Sequence, residues 1–169
     1  MIDEMLPRSA APPQGVEDLF RRHFSALARF AYLLGAEDPS DVAQEAFVRL
    51  HTRRGRLRND DAALAYLRRT VVNLHRSRLR HLKVARRLRH PERHVPSAET
   101  SALEHLDRQQ VLVALDQLSP RHRAVLVLRY WLALSGPEIA RTLDLPIGTV
   151  KSQTSRALSA FAQAMEKQS

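Results

Sequence analysis

Between Thr149 and Arg156 the chain sets polar, slim and basic side chains in close succession: Thr149, Lys151, Ser152, Gln153, Ser155 and Arg156. These types can read a nucleic-acid groove. The Gln153 amide can bond adenine in a bidentate way, the Arg156 guanidinium can do so with guanine, and Lys151 and Ser152 can hold phosphates. All six must then sit on or near the exposed side of one helix. Its other side, Val150, Ala157, Leu158 and Phe161, must be buried. A packed surface helix with a solvated polar face fits the same pattern, so the surrounding sequence has to decide.

Other chemistry finds no site. His75, His81, His90 and His94 lie close together, but their spacings do not repeat a metal-ligand motif. There are 0 cysteines, which excludes disulfides and cysteine-based zinc sites. The chain has no Gly-rich phosphate loop, no H-E-x-x-H and no nucleophile motif. The expectation is a protein that is not an enzyme on its own and uses no metal or cofactor. No apolar run approaches the ~18 residues of a membrane span, and the N-terminus lacks an apolar signal core. Action in the cytoplasm, where the chain is made, is therefore expected, without membrane insertion.

The charge points to a polyanion. The chain carries 27 Lys and Arg against 18 Asp and Glu, a net +9. From Arg68 to Arg93 there are ten basic residues and one acid, Glu92, an excess equal to that of the whole chain. A genome-wide bias toward Arg spreads charge more evenly, so the clustering favours a nucleic-acid face.

These residues need elements to hold them, and the composition supplies helices. Only 5 of 169 residues are Gly, and aromatics are 5%, so the cores are mainly aliphatic. Residues 1–13, with Pro7, Pro12 and Pro13, form a loose tail. From Val16, apolar residues recur at helical spacing to Leu34, where Gly35 can end the helix. Asp38-Pro39 starts a second helix with Val42, Ala43, Ala46, Phe47 and Leu50 on one face. Asn59 or Asp60 can cap a third, running to about Leu88 with Leu64, Leu67, Val71 and Leu74 inside. The polar stretch Pro91–Thr100 reads as a linker. A helix follows from about Leu103 to Leu118, another starts at Ser119-Pro120, and Ser135 to Glu138 has capping-box spacing. That short helix, a turn at Asp144–Pro146 and the Thr149–Phe161 helix make a helix-turn-helix whose second helix can enter a major groove.

Several longer strings match a family. Ser119-Pro120-Arg121-His122-Arg123-Ala124-Val125-Leu126, Arg129-Tyr130, Glu138-Ile139-Ala140, Gly148-Thr149-Val150-Lys151-Ser152 and Ser155-Arg156-Ala157-Leu158 closely resemble region 4 of extracytoplasmic-function (ECF) sigma factors. Asp41-Val42-Ala43-Gln44-Glu45-Ala46-Phe47-Val48-Arg49-Leu50 resembles region 2.2 of the same family, and Tyr66–Leu74 resembles region 2.3. The string Arg68–Leu74 looks most like the actinobacterial SigE-like subgroup.

The resemblance implies an all-α chain of two small helical domains joined by a flexible linker. Region 2 spans 14–90, the linker 91–104 and region 4 105–169. It implies a factor that binds core RNA polymerase and directs promoter recognition and transcription initiation. Asp41, Gln44, Glu45, Phe47 and Arg49 would dock on the clamp helices of the polymerase β′ subunit. Tyr66, Arg69, Asn73, Arg76, Arg78 and Arg80 would serve the −10 element, with Asn73 at a pocket for a flipped base. Thr149, Lys151, Ser152, Gln153 and Arg156 would read the −35 element, and the same domain would meet the β flap. An anti-sigma protein is a further possible partner. On the residues alone, Asp41, Gln44 and Glu45 at i, i+3 and i+4 also fit a solvated acidic stripe, and Asn73 also fits a local helix–loop hydrogen bond. The alternative for the whole chain is a dimeric helix-turn-helix regulator that binds a palindrome without polymerase. Three departures bear on which promoter is read: Ala43 stands where Leu is usual, Gln153 where Arg is frequent, and Thr154 where an aliphatic residue is usual.

Overall fold

Side-chain capping explains where most of the helices begin. The computed structural model describes residues 15–53, 59–85 and 102–168. In chain order it holds α1 (Val16–Leu34), α2 (Pro39–Arg53), α3 (Asp60–Ala85), α4 (Ala102–Asp116) and α5 (Pro120–Leu126). A π-helical segment (Val127–Trp131), α6 (Gly136–Leu143) and α7 (Ile147–Glu166) complete it. Asp38 accepts from the Asp41 N–H at 3.2 Å, Asn59 from Ala62 at 2.8 Å and Ser119 from His122 at 3.3 Å. At Ser135 the capping box closes both ways. The Glu138 N–H donates to Ser135 Oγ at 3.4 Å, and the Ser135 N–H donates to Glu138 Oε2 at 2.8 Å. The end of α1 is set by Gly35 at φ 97°, which lets its N–H reach Tyr32 O at 2.9 Å while the Ala36 N–H reaches Ala31 O at 3.0 Å.

The all-α class with two helical domains holds, and the described residues contain no strand. α1, α2 and α3 pack on one another, and α7 packs on α4, α5 and α6. The expected tail, residues 54–58 and the expected linker up to 101 lie outside the described residues. α4 already starts at Ala102, inside the stretch expected to be linker. The helix expected after Ser119-Pro120 is regular only to Leu126. It then widens, with the Leu132 N–H bonded to Val127 O at 3.2 Å.

The two units share one apolar core. Leu27, Phe30, Val42, Leu50, Leu67 and Val71 belong to the same buried cluster as Val125, Leu128, Ile139 and Val150. α1 touches α5 and the π segment, and α3 touches α6. A buried polar link also crosses the seam. Arg123, 6% exposed, donates from Nε to the Leu33 carbonyl and pairs with Asp116. The Leu33 carbonyl lies in the last turn of α1, whose two terminal backbone bonds use Ala31 and Tyr32 instead. A guanidinium from the second unit thus satisfies an acceptor that the end of the helix leaves over.

Candidate nucleic-acid interface

α2 divides its faces cleanly. Val42, Ala43, Ala46, Phe47 and Leu50 are buried, and Asp41, Gln44 and Arg49 are exposed. Phe47 anchors the packing of this helix: it is 4% exposed and its ring lies 5.0 Å from that of Phe20 and 6.4 Å from that of Phe24. It seats the helix and offers no surface to a partner. The carboxylates are not bare. Arg49 pairs with Glu45 at 2.6 Å, and Arg78, reaching over from α3, meets Asp41 at 2.6 Å and Glu45 at 3.0 Å. Burial opposes the charge on Arg78, but hydrogen bonds to Asp41 and Glu45 outweigh it and raise its pKa further.

That contact sets Arg78 apart from the rest of the −10 set. At about 100° per residue, Tyr66, Arg69, Asn73, Arg76 and Arg80 fall on one stripe of α3, and Arg78 lies on the opposite side. The structure keeps those five together and sends Arg78 to α2. Within the stripe, Arg53 stacks over the Tyr66 ring at 5.5 Å, while Asn73 and Arg80 are exposed. The C-terminal end of α6 lies against the same stripe: Arg76 donates to the Leu143 carbonyl at 3.4 Å, and Arg69 is 4.0 Å from Asp144. Burial lowers the pKa of Arg76, and the nearby charges of Arg121 and Arg80 add to the effect. Arg68, beside the stripe, is lowered by burial too, with Glu138 of α6 and Asp61 opposing.

On α7, Lys151, Ser152, Ser155 and Arg156 are exposed, and Thr149 and Gln153 are half-buried at the margin of the packed side. Leu158 departs from expectation. It is 41% exposed, and the buried places go to Val150, Ala157 and Ala164. One step of 100° from Ala157 carries Leu158 off the buried stripe. With Ile147, Ile139, Val150 and Lys151 it lines an open groove of about 400 Å³. Tyr130 and Trp131 on the π segment are exposed as well. Reading the sequence missed this apolar surface, because an irregular helix turn carries no periodic signal.

Two family descriptions match the chain: Sigma-70 region 2 over residues 19–85 and Sigma-70, region 4 over residues 108–161. The RNA polymerase sigma-E factor of Streptomyces avermitilis is 35% identical over 155 residues, covering 89% of this chain and 84% of the relative. The chain is an ECF sigma factor of the sigma-70 family. ECF RNA polymerase sigma factor SigM of Mycobacterium tuberculosis is 35% identical over 153 residues, covering 87% of this chain and 75% of the relative. Among solved structures, CnrH in complex with the cytosolic domain of CnrY matches with a TM-score of 0.67 at 26% identity, covering 91% of this chain and 89% of that one. The fold is also that of the sigma factor RpoE in complex with the anti-sigma factor NepR from Bartonella quintana, with a TM-score of 0.70 at 20% identity over 89% and 96% of the two chains.

Both halves of this sigma factor match, so the family accounts for the helix-turn-helix and for the acidic and basic helices of the first unit together. The dimeric-regulator alternative accounts only for the former. The likeness to sigma-E proteins read from Arg68–Leu74 extends over most of the chain. Its activity is therefore promoter recognition at the start of transcription. No described helix is long and apolar enough to cross a membrane.

Proposed function

We propose that this sigma factor binds core RNA polymerase in the cytoplasm, with the exposed face of α2, Asp41, Gln44, Glu45 and Arg49, set against the clamp helices of β′. The α3 stripe of Tyr66, Arg69, Asn73, Arg76 and Arg80 serves the −10 element: Asn73 offers an amide to a base edge, and the arginines follow the backbone. Lys151, Ser152 and Arg156 on α7 read the −35 element, with Thr149 and Gln153 at the edge of that face. Region 2 spans residues 14–90 and region 4 residues 105–169, which also meets the β flap; catalysis belongs to the polymerase. The observation that carries the reading is the placement of two separate polar faces, on α3 and α7, in one chain whose halves match regions 2 and 4. The end of α6 covers part of the α3 stripe, so the two units must part before promoter binding. An anti-sigma protein that binds both units can hold them in the closed arrangement.

The test mixes the full chain with bacterial core polymerase and follows complex formation and run-off transcription from promoters of the same genome. Saturable binding and promoter-specific transcripts, both lost in the Asp41→Arg, Glu45→Arg double variant, are expected. A wild-type chain that leaves core polymerase unbound, and that protects a palindromic site as a dimer, refutes the proposal.

A further inference from the structure

We propose that Arg78 is the internal counter-ion of the polymerase-docking face, and that it is displaced from the α2 carboxylates as the complex with polymerase assembles. The inference rests on the docking role given to α2 above. Asp41 and Glu45 stand four residues apart on one helix face, where like charges repel. One terminal nitrogen of Arg78 bridges Asp41 Oδ2 at 2.6 Å and Glu45 Oε2 at 3.0 Å, and Arg49 takes Glu45 Oε1 at 2.6 Å. The face expected to be negative is charge-balanced, with two carboxylates held by two guanidinium groups. A basic partner surface cannot meet those carboxylates at full strength without displacing Arg78.

The displaced side chain has somewhere to go. Arg78 borders an open pocket of about 300 Å³ between the α1–α2 turn and α3, lined also by Glu37, Asp38, His75, His81 and Leu82. The pairs are partly exposed, at 34% for Arg78, 56% for Asp41 and 36% for Glu45. Ion pairs this open are weak, so displacement is possible, and losing both changes an affinity by about five-fold.

One measurement tests the displacement on the full chain: fluorescently labelled Arg78→Gln is titrated with core polymerase in the absence of DNA, and it binds about five-fold more tightly than wild type. Arg78→Lys, which keeps a cation in place, stays within about two-fold. Weaker or unchanged binding by a folded Arg78→Gln variant overturns the proposal. A wild-type chain that fails to bind core polymerase contradicts the docking role itself, a result distinct from a variant that binds no more tightly than wild type.

Discussion

Arg123 is the residue whose replacement separates packing from polar linkage most sharply. Arg123→Met keeps most of the buried stem but removes the donors to the Leu33 carbonyl and to Asp116. The two losses differ in size. A backbone carbonyl stranded at a buried helix end costs about 1–3 kcal/mol. The Asp116 side chain is 42% exposed and is rehydrated, so its share is at most about 1 kcal/mol. The expected destabilisation is about 1–4 kcal/mol, a fall in Tm of about 2–16 °C for a chain of this size. Urea denaturation followed by far-UV circular dichroism reads the cost, and a double-mutant cycle with Asp116→Asn apportions it. Arg123→Lys recovers part, since an ammonium group serves one acceptor well and not both. A cost below about 0.5 kcal/mol for Arg123→Met would show that the Leu33 carbonyl is readily served by water, and the link across the two units would then have no energetic weight.

Ser135→Ala removes the hydroxyl of the capping box and lowers stability by about 1 kcal/mol in the same denaturation assay, while Ser135→Asn keeps most of it. The Glu138 carboxyl, held below its ordinary value by the Ser135 hydroxyl and then by the Ser135 N–H, stabilises the fold above the usual glutamate range. That contribution is lost as pH falls through the lowered value, so Glu138→Gln flattens the acid limb of a Tm-against-pH curve; an unchanged limb contradicts the assignment. Gly35→Val forces a β-branched side chain to φ 97° and costs at least about 1–3 kcal/mol in urea. Lys151→Ala weakens binding to a −35 duplex about equally across sequences and reduces the salt slope by about one, whereas Gln153→Ala changes which sequence is preferred.

Helix starts and stops were legible because they depend on neighbouring residues alone. Asp38, Asn59, Ser119 and Ser135 cap as their types demand, and Gly35 ends α1 through a backbone angle few other residues adopt. The buried faces of α2 and α3 followed from period. What stayed illegible depended on long-range partners. Arg78 looked like one more member of a basic run, and a helical wheel already sets it apart from Arg76 and Arg80. Only the packing of α2 on α3 shows that its partners are Asp41 and Glu45. Phe47 was placed in a docking string by resemblance, although its type and face both direct it inward. Arg123 sat in a matched motif with nothing nearby in sequence to suggest a carbonyl ninety residues away.

The π-helical turn has a consequence for the surface beyond it. In an unbroken α-helix Trp131 would follow Val127 by four residues and Leu128 by three, which puts it over two side chains that are fully buried here. The wider turn is the last of its helix, which ends at Leu132, and it takes Tyr130 and Trp131 off the α-helical register. Trp131 ends 45% exposed and Tyr130 55% exposed for that reason, not because the composition there is unusual. Deleting one residue from Val127–Trp131 would restore regular winding, draw the indole toward Val127 and Leu128, and erase the aromatic edge of the second unit. The length of this turn, rather than any side chain in it, decides what the helix-turn-helix presents beside its groove.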